Sequence, residues 1–292
     1  MVNVVNSMPM STISLSGAAV AITGGARGIG YATAKAFAAK GAKVYIGDLD
    51  AELAKSAAAE LGCVGSGLDV RSRQSFSDFL NGIDGPLQVL VNNAGIMPAG
   101  RFVDESDAVT DAIVGVNLGG VLNGSKLALA RMLEQGGGHI VNVASYLGMA
   151  PAAGLATYCA TKHAVVGFSE SLRDEVAGSG VTVTVVLPSA VRTDLVSGVR
   201  LGGLLPTVDP EDIAEAVVES CKSRPAIIAV PSWMRSYETA AALMPDRLLG
   251  AIRGKLTRDR VLRSLDTDAR AGYDERIRRD AGEGIAAEAD KT

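Results

Sequence analysis

Short runs of aliphatic residues alternate with segments of helical period over most of the chain. Helical segments at 31–40, which ends before Gly41, and at 51–60 show the alternation clearly. The aliphatic runs lie at 18–22, 43–47, 64–68, 88–91, 139–143, 181–187 and 226–230. Because strands that are continuously rich in Val, Ile and Leu are buried on both faces, this pattern predicts a parallel sheet covered by helices on both sides. We therefore predict a doubly wound α/β fold with a seven-stranded parallel sheet and a ligand site at the carboxyl ends of the strands.

The pattern changes at both ends of this region. Residues 1–14 lack a basic stretch before a long apolar core, so we interpret them as a flexible leader and not as a signal peptide. Residues 15–231 form the predicted α/β domain. Residues 232–292 contain no clear strand and many charges, which predicts a helical extension with a disordered end at 280–292.

The segment Thr23-Gly-Gly-Ala-Arg-Gly-Ile-Gly30 lies between the first predicted strand and the first predicted helix. Glycines let the backbone turn tightly and approach a pyrophosphate closely, and the helix that follows offers free N–H groups. Asp48 stands at the end of the next strand, 18 residues beyond Gly30. A strand before the glycines, a helix after them and an acid at that position are typical of a Rossmann dinucleotide-binding site.

Asp48 favours NAD(H) over NADP(H). Its carboxylate can accept hydrogen bonds from both adenosine ribose hydroxyls, whereas a 2′-phosphate at ~4 Å would cost about 4 kcal/mol per pair of unit charges at an effective dielectric constant of 20. Arg27 could attract a 2′-phosphate, but we interpret it as a residue of the loop surface. NAD is therefore the predicted cofactor, and NADP is the less favoured alternative.

Tyr158 and Lys162 are four residues apart in a predicted helix, so the two side chains share one face. No acid follows the lysine before Glu170. A free tyrosine has a pKa near 10, and one ammonium at ~4 Å contributes about 4 kcal/mol, enough to bring that pKa to about 7. We therefore expect Lys162 to lower the pKa of Tyr158, the predicted acid–base. The two histidines are less suitable, because His139 starts a strand and His163 points about 100° away from Lys162 around the helix.

Several motifs occur in a fixed order: the glycine segment, Asn92-Asn-Ala-Gly95, Val116-Asn117, Val143-Ala-Ser145 and Tyr158-x-x-x-Lys162. In these motifs and their spacing, residues 15–231 resemble the short-chain dehydrogenase/reductase (SDR) family. The resemblance implies that Tyr158 is the general acid–base and that Ser145 hydrogen-bonds the substrate oxygen. It implies that Lys162 holds the nicotinamide ribose and tunes the tyrosine. It also implies that Asn117 positions a water that links the lysine to solvent.

The resemblance further implies a set of contacts with the cofactor. Asp69 would meet the adenine edge, and Thr193 would reach the nicotinamide carboxamide. Ser189 stands where the family usually has glycine, which affects the geometry of that loop. The predicted cofactor-binding residues are Thr23, Gly24, Arg27, Gly28, Ile29, Gly30, Asp48, Leu49, Asp69, Val70, Asn92, Ala94, Gly95, Tyr158, Lys162, Pro188, Val191 and Thr193.

Loops at 96–100, 146–155 and 194–208 carry many aliphatic residues and few charges, as ligand pockets do. They predict a lipophilic alcohol or ketone as substrate, and the glycines at 198, 202 and 203 predict a mobile lid. The alternative is that these aliphatic residues only pack the loops against the domain. The predicted substrate-binding residues are Ser145, Leu147, Met149, Leu155 and Leu195.

Composition narrows the function classes. The chain has 292 residues, of which 48% are hydrophobic, and a formal net charge of −4, which indicates a folded core and gives no support to nucleic-acid binding. Cys63, Cys159 and Cys221 lack metal-ligand spacing and indicate reduced thiols, so we predict a cytoplasmic protein without a metal site. No uninterrupted apolar run approaches the roughly 20 residues of a membrane span.

Other functions remain open at this point. A non-catalytic dinucleotide-binding sensor would predict a damaged Ser–Tyr–Lys set, and a lyase or epimerase would predict a larger substrate domain. Residues 247–263 form a basic amphipathic segment, which could lie on an anionic membrane in a lipid-alcohol dehydrogenase. Packing against the same protein or a second subunit is the favoured interpretation, because Gly250 and Gly254 weaken a free helix. We expect a homodimer or homotetramer.

Overall fold

A seven-stranded sheet in the order β3-β2-β1-β4-β5-β6-β9 forms the centre of the protein, and every neighbouring pair of strands is parallel. The computed structural model describes residues 12–199, 206–236, 260–263 and 265–282. The prediction of a doubly wound parallel sheet is confirmed. A further ladder of two short strands, β7 and β8, was not predicted. The strands are β1 (Ala19–Thr23), β2 (Lys43–Asp48), β3 (Val64–Gly67), β4 (Leu87–Asn92), β5 (Gly138–Val143), β6 (Val181–Pro188), β7 (Ala190–Val191), β8 (Thr207–Val208) and β9 (Ile227–Val230).

Helices cover both faces of this sheet. Along β1, Val20 and Ile22 pack in one cluster with α1 and α7, whereas Ala19 and Ala21 pack in another with α3 and α5. Burying one Val or Ile side chain contributes roughly 1.5–3 kcal/mol, so both faces stabilise the sheet. The helices of the α/β domain are α1 (Gly28–Ala38), α2 (Ala51–Leu61), α3 (Arg73–Asn81), α4 (Asp107–Val114), α5 (Gly120–Glu134), α6 (Ala156–Glu175) and α7 (Pro210–Ser223).

A π-helical turn at Gly115–Gly119 joins α4 to α5 in one continuous helix, Asp107–Glu134. This is the one helix among the described residues that is long and apolar enough to cross a membrane by length and composition. Its most apolar window has a mean hydropathy of 1.3, and 44% of that window is buried inside the protein. Core helices of soluble proteins meet the same criterion, so the observation is weak evidence for a membrane span.

The C-terminal extension contains two described helices, α8 (Arg260–Arg263) and α9 (Thr267–Asp280). The Asp266 carboxylate caps α9 by accepting a hydrogen bond from Ala269 N at 3.0 Å. Arg270, Tyr273 and Ile277 are the buried residues of α9, and this spacing places them on one face of the helix. The prediction of a helical extension is confirmed for these residues.

Several sequence predictions fall outside the described residues. They concern residues 1–11 of the leader, 200–205 of the lid, 247–259 of the basic segment and 283–292 of the predicted disordered end. Within the described part, Val261 is buried in one cluster with Leu147 and Leu155 of the predicted substrate loop. Residue 261 of the extension therefore contacts that loop. Helix α9, which lies beyond the residues 232–263 expected to cover the substrate region, contacts Met97 and Leu195 in the other two predicted substrate loops.

Candidate active site

A cavity of about 660 Å³ opens at the carboxyl ends of the strands. Its walls come from the segments that follow β1, β2, β3, β4, β5 and β6, together with α9. This is the edge of a doubly wound sheet where ligands bind, and the volume is in the range of small-molecule sites.

Ser145, Tyr158 and Lys162 converge at one end of this cavity, and all three side chains are buried. Ser145 lies just after β5, where its hydroxyl accepts a hydrogen bond from Leu147 N at 3.1 Å and interacts with the Tyr158 hydroxyl. Tyr158 and Lys162 project from the first turns of α6, with the lysine Nζ 5.7 Å from the centre of the tyrosine ring. The lysine Nζ also donates to the Val143 carbonyl at 3.0 Å.

The protonation of this pair differs from the expectation. Burial raises the pKa of Tyr158, and the interaction with Ser145 offsets only part of that effect. Burial also lowers the pKa of Lys162 to about 8. In the chain alone the pKa of Tyr158 is therefore not lowered as predicted, because burial of the hydroxyl disfavours the charged tyrosinate.

Asn117 lies in the π-helical turn and is completely buried. Its Oδ1 accepts from Ile96 N at 2.8 Å, and its Nδ2 donates to the Ile96 carbonyl at 2.9 Å. Asn117 therefore fixes the loop after β4 but does not line the cavity. Its implied role in holding a water beside Lys162 stays a prediction.

The glycine loop fits a phosphate group. Gly24 and Gly28 have positive φ angles of 61° and 53°, which favour glycine. A Cβ on Gly24 would lie 2.8 Å from the Ala94 Cα, and one on Gly30 would lie 2.1 Å from the Gly24 carbonyl oxygen. A side chain at either position would therefore push the loop backbone out of this conformation, which places the N-terminus of α1, where backbone N–H groups favour anions, at the cavity.

Asp48 and Arg27 both line the other end of the cavity. The Asp48 carboxylate accepts hydrogen bonds from Ala26 N at 3.2 Å and Asp50 N at 3.3 Å, which hold it beside the glycine loop. Arg27 is half-buried. It lines the same cavity as Asp48. Its interpretation as a residue of the loop surface stays a prediction.

Most of the predicted contact residues line the cavity, and their contacts with a cofactor or substrate stay predictions. The predicted cofactor residues that line the cavity are Gly24, Arg27, Gly28, Ile29, Asp48, Leu49, Asp69, Val70, Ala94, Gly95, Tyr158, Lys162, Pro188, Val191 and Thr193. Of the predicted substrate residues, Ser145, Leu147 and Leu195 line it. His139 lies inside β5, bonded to Thr182 and Ser220, and takes no part in the cavity.

Three predicted cofactor residues do not line the cavity. The Asn92 side chain is buried between β4, β5 and α5, where its Nδ2 donates to Asn142 Oδ1 and Ser125 Oγ. Thr23 is buried as well, and its hydroxyl accepts from Ala94 N at 3.0 Å. Gly30 is covered by the loop itself. These three residues support the glycine loop and the cavity wall without lining the cavity.

Two predicted substrate residues also lie outside the cavity. Met149 is 37% exposed on the surface. Leu155 is buried behind the wall, in the cluster that contains Tyr158. The aliphatic content of the loop did not distinguish residues that face a ligand from those that face solvent or the core.

Several lining residues were missed by the sequence analysis. Asn93 takes the place expected for Asn92, because β4 ends at that point and the side chains alternate. Helix α9 contributes Tyr273, Arg276, Ile277, Arg279 and Asp280. The helical period of this segment was visible, but nothing in it indicated where the helix would dock.

A doubly wound sheet, a glycine loop at the first strand and a buried Ser–Tyr–Lys set define a dinucleotide-binding site of the oxidoreductase type. A family profile described as short chain dehydrogenase matches residues 18–202. The chain belongs to the short-chain dehydrogenase/reductase family.

One curated relative is similar to this chain over most of the chain's length. The "Probable oxidoreductase EphD" of Mycobacterium tuberculosis is 35% identical over 263 residues, which cover 87% of this chain and 42% of that protein. The chain thus spans less than half the length of this relative. The aligned share is larger than residues 1–231 alone, so the match includes part of the C-terminal extension.

Two further proteins match mainly over the α/β domain. The "2,5-dichloro-2,5-cyclohexadiene-1,4-diol dehydrogenase LinX" of Sphingobium indicum is 39% identical over 193 residues, covering 63% of this chain and 77% of that protein. A 3-ketoacyl-(acyl-carrier-protein) reductase from Brucella melitensis, solved with NADH, is 29% identical with a TM-score of 0.69. That match covers 74% of this chain and 98% of the solved chain.

Proposed function

We propose that this protein transfers hydride between NAD(H) and a lipophilic secondary alcohol or ketone. The observation that carries the proposal is the convergence of Ser145, Tyr158 and Lys162 at one end of a cavity whose other end holds Asp48 beside the glycine loop. A non-catalytic sensor has no need for three buried polar side chains at that place, since each costs free energy to bury.

In this proposal each residue of the Ser–Tyr–Lys set has one role. The bound cofactor supplies or accepts the hydride. In the reduction direction the Tyr158 hydroxyl gives its proton to the substrate oxygen, and in oxidation it accepts that proton. The Ser145 hydroxyl, which interacts with that of Tyr158, donates to the same substrate oxygen. Lys162 stabilises the tyrosinate that forms after reduction and hydrogen-bonds the nicotinamide ribose.

The choice between NAD and NADP rests on the adenosine end. Asp48 faces the cavity at the end of β2 and favours two free ribose hydroxyls. Arg27 faces the same space and favours a 2′-phosphate, so the two side chains oppose each other. We give Asp48 the greater weight because the backbone N–H groups of Ala26 and Asp50 fix its carboxylate in place. The NADH bound to the Brucella relative is consistent with this choice.

The substrate end of the cavity is apolar. Met97, Leu147, Leu195 and Val196 line it around the Ser145–Tyr158 pair, and Tyr273 adds an aromatic ring. Such a surface suits a lipophilic ring or chain with one oxygen at the reacting carbon. The name of the LinX relative describes a chlorinated cyclic diol as its substrate, which belongs to this chemical class.

The test is a panel of lipophilic secondary alcohols offered with NAD⁺ or NADP⁺, followed by the absorbance of the reduced nicotinamide. We expect turnover with at least one alcohol and a higher kcat/KM with NAD⁺. Calorimetric binding of NADH without turnover of any alcohol or ketone would support a sensor and contradict catalysis. We also propose a cytoplasmic location, which cell fractionation would test. We propose a homodimer or homotetramer, which sedimentation analysis would test.

A further inference from the structure

Helix α9 runs along the cleft from the catalytic end to the end assigned to adenosine. At the first end, the Tyr273 hydroxyl accepts a hydrogen bond from Met97 N at 2.8 Å, close to Tyr158. At the second end, Arg71 donates to the Asp280 carbonyl at 3.3 Å and pairs with Asp69. Seven helical residues rise about 10 Å, so α9 extends over the middle of the cleft between these contacts.

Arg270 fixes the helix in this position. Its side chain is completely buried and donates hydrogen bonds to the carbonyls of Leu195, Ser197 and Met97. Asp274, one turn further along α9, pairs with the same guanidinium at 3.2 Å. These carbonyls belong to the two loops that flank the cleft, so one buried cation ties both loops to α9.

The arginines that line the cavity differ in their partners. Arg71, Arg192 and Arg279 have a carboxylate at 2.9, 3.1 and 3.9 Å, respectively. Arg276 is half-buried, and its guanidinium carbon lies 5.3 Å from the centre of the Tyr273 ring. Within the described part of the chain no carboxylate lies within 4.0 Å of it. Stacking on the tyrosine holds the planar group in place and leaves its N–H donors available.

We propose that Arg276 binds the pyrophosphate of the dinucleotide, which makes α9 a part of the cofactor site. The glycine loop offers backbone N–H groups to the phosphates from one wall, and Arg276 offers a charge from the facing wall. A guanidinium matches two phosphate oxygens at once, which is the geometry that an anion between these walls requires. The proposal rests on the dinucleotide cofactor and adds a ligand from the C-terminal extension.

Calorimetric titration of the full chain with NADH, ADP and adenosine separates the contribution of the pyrophosphate to the binding affinity from that of the rest of the ligand. Arg276→Gln should weaken NADH and ADP binding by about tenfold to a hundredfold, since one charge-assisted hydrogen bond is lost. Adenosine affinity should stay within about twofold, because adenosine lacks phosphate. Arg276→Lys, which keeps the charge, should recover part of the loss, and added salt should weaken ADP binding less in Arg276→Gln than in wild type.

The matched control is Arg278→Gln, which removes the same charge from an exposed position of the same helix. It should leave all three affinities within about twofold of wild type. Equal NADH affinity in wild type and Arg276→Gln would overturn the proposal, as would an equal loss for adenosine and ADP. An unchanged NADH affinity with a raised KM would place the bound anion on the substrate instead. Wild-type protein that binds no NADH would refute the cofactor assignment itself, a result distinct from all of these.

Discussion

The two walls of the cleft are attached to the protein in different ways. The first wall consists of the ends of parallel strands, where buried Val and Ile residues and the ladder hydrogen bonds of the sheet fix Ser145 and the glycine loop. The second wall is α9, which is attached by the buried Arg270 and by the packing of Tyr273 and Ile277. No strand of the described sheet depends on it.

This difference suggests a separate task for each wall: the first holds the catalytic groups, and the second closes the cleft over the ligand. Residues on the first wall cannot move without disturbing the sheet, so they suit proton transfer, which needs fixed distances. The second wall can detach at the cost of a few hydrogen bonds while the sheet stays folded. We therefore expect substitutions on the first wall to affect the rate of chemistry, and substitutions on α9 to affect affinity and access.

The largest effect should come from Tyr158→Phe. The variant lacks the hydroxyl that carries the proton, and general acid–base catalysis contributes about 10²- to 10⁴-fold, so kcat should fall by at least a factor of about 100. NADH affinity by calorimetry should stay near that of wild type because the ring still fills the site. Steady-state kinetics on one active alcohol measures the loss.

Tyr45→Phe is a suitable control for this experiment. Tyr45 is another buried tyrosine, whose hydroxyl accepts a hydrogen bond from Asp84 N at 3.2 Å, and it does not line the cavity. Removal of this hydroxyl should slightly lower the free energy of unfolding and leave kcat unchanged. A Tyr158→Phe enzyme that keeps more than about a tenth of wild-type turnover would place the proton transfer on another group.

Arg270→Leu should release α9 without unfolding the sheet. The substitution removes the donor to three carbonyls, one buried and two partly buried. Hydrogen bonds to charged groups contribute about 1.5–3 kcal/mol each, so local opening should increase at least 100-fold. Chymotrypsin cleavage after the buried Tyr273 measures this opening directly. NADH affinity should fall by about tenfold or more, whereas the thermal unfolding of the sheet should change little.

Arg278→Leu on the exposed side of α9 is the control, and its cleavage rate should match that of wild type. If Arg270→Leu shifts the main unfolding transition and cleavage together, α9 belongs to the cooperative core. The separation between the two walls would then be wrong.

Burial of Lys162 predicts a pH-dependent cost of folding. Its pKa is lowered from an ordinary 10.5 to about 8, so between these values the unfolded chain binds more protons and stability rises with pH. The cost below pH 8 is about 3 kcal/mol, from the size of that shift. Relative to wild type, Lys162→Met should therefore be more stable at pH 7 than at pH 10, by up to about 3 kcal/mol. Denaturant unfolding of the cofactor-free protein at both pH values measures this difference.

The exposed Lys126 provides the comparison for this experiment. Lys126→Met should change stability by the same amount at pH 7 and pH 10. If the Lys162→Met difference is also independent of pH, the lysine keeps its charge in the folded protein. A permanently charged Lys162 beside Tyr158 would then be able to lower the pKa of the tyrosine, as the sequence predicted.

The first wall was largely predictable from sequence, and the second was not. Parallel strands and their glycine loop leave a local pattern, because continuous Val and Ile runs and glycines at a strand end have few other structural causes. The sequence did not distinguish Asn92 from Asn93, because the end of the strand decides which of the two side chains lines the cavity. Docking of α9 depends on Arg270 meeting carbonyls of two distant loops, a long-range match that has no local signal.

The smallest predicted effect concerns the choice of cofactor at Asp48. Asp48→Asn removes the charge and keeps an oxygen that can accept from Ala26 N, so the loop should stay in place. Because Asp48 is half-buried and solvent screens its charge, we expect the ratio of NADPH to NADH affinity to rise by about tenfold, less than the full Coulomb term allows. Glu52→Gln, which removes the same charge four residues away at an exposed position outside the cavity, should change that ratio less than threefold. Arg27→Gln should lower the ratio, since Arg27 is the residue of this wall that attracts a 2′-phosphate. Calorimetry with both dinucleotides measures all three variants, and tighter binding of NADPH than NADH by wild type would show that Arg27 outweighs Asp48.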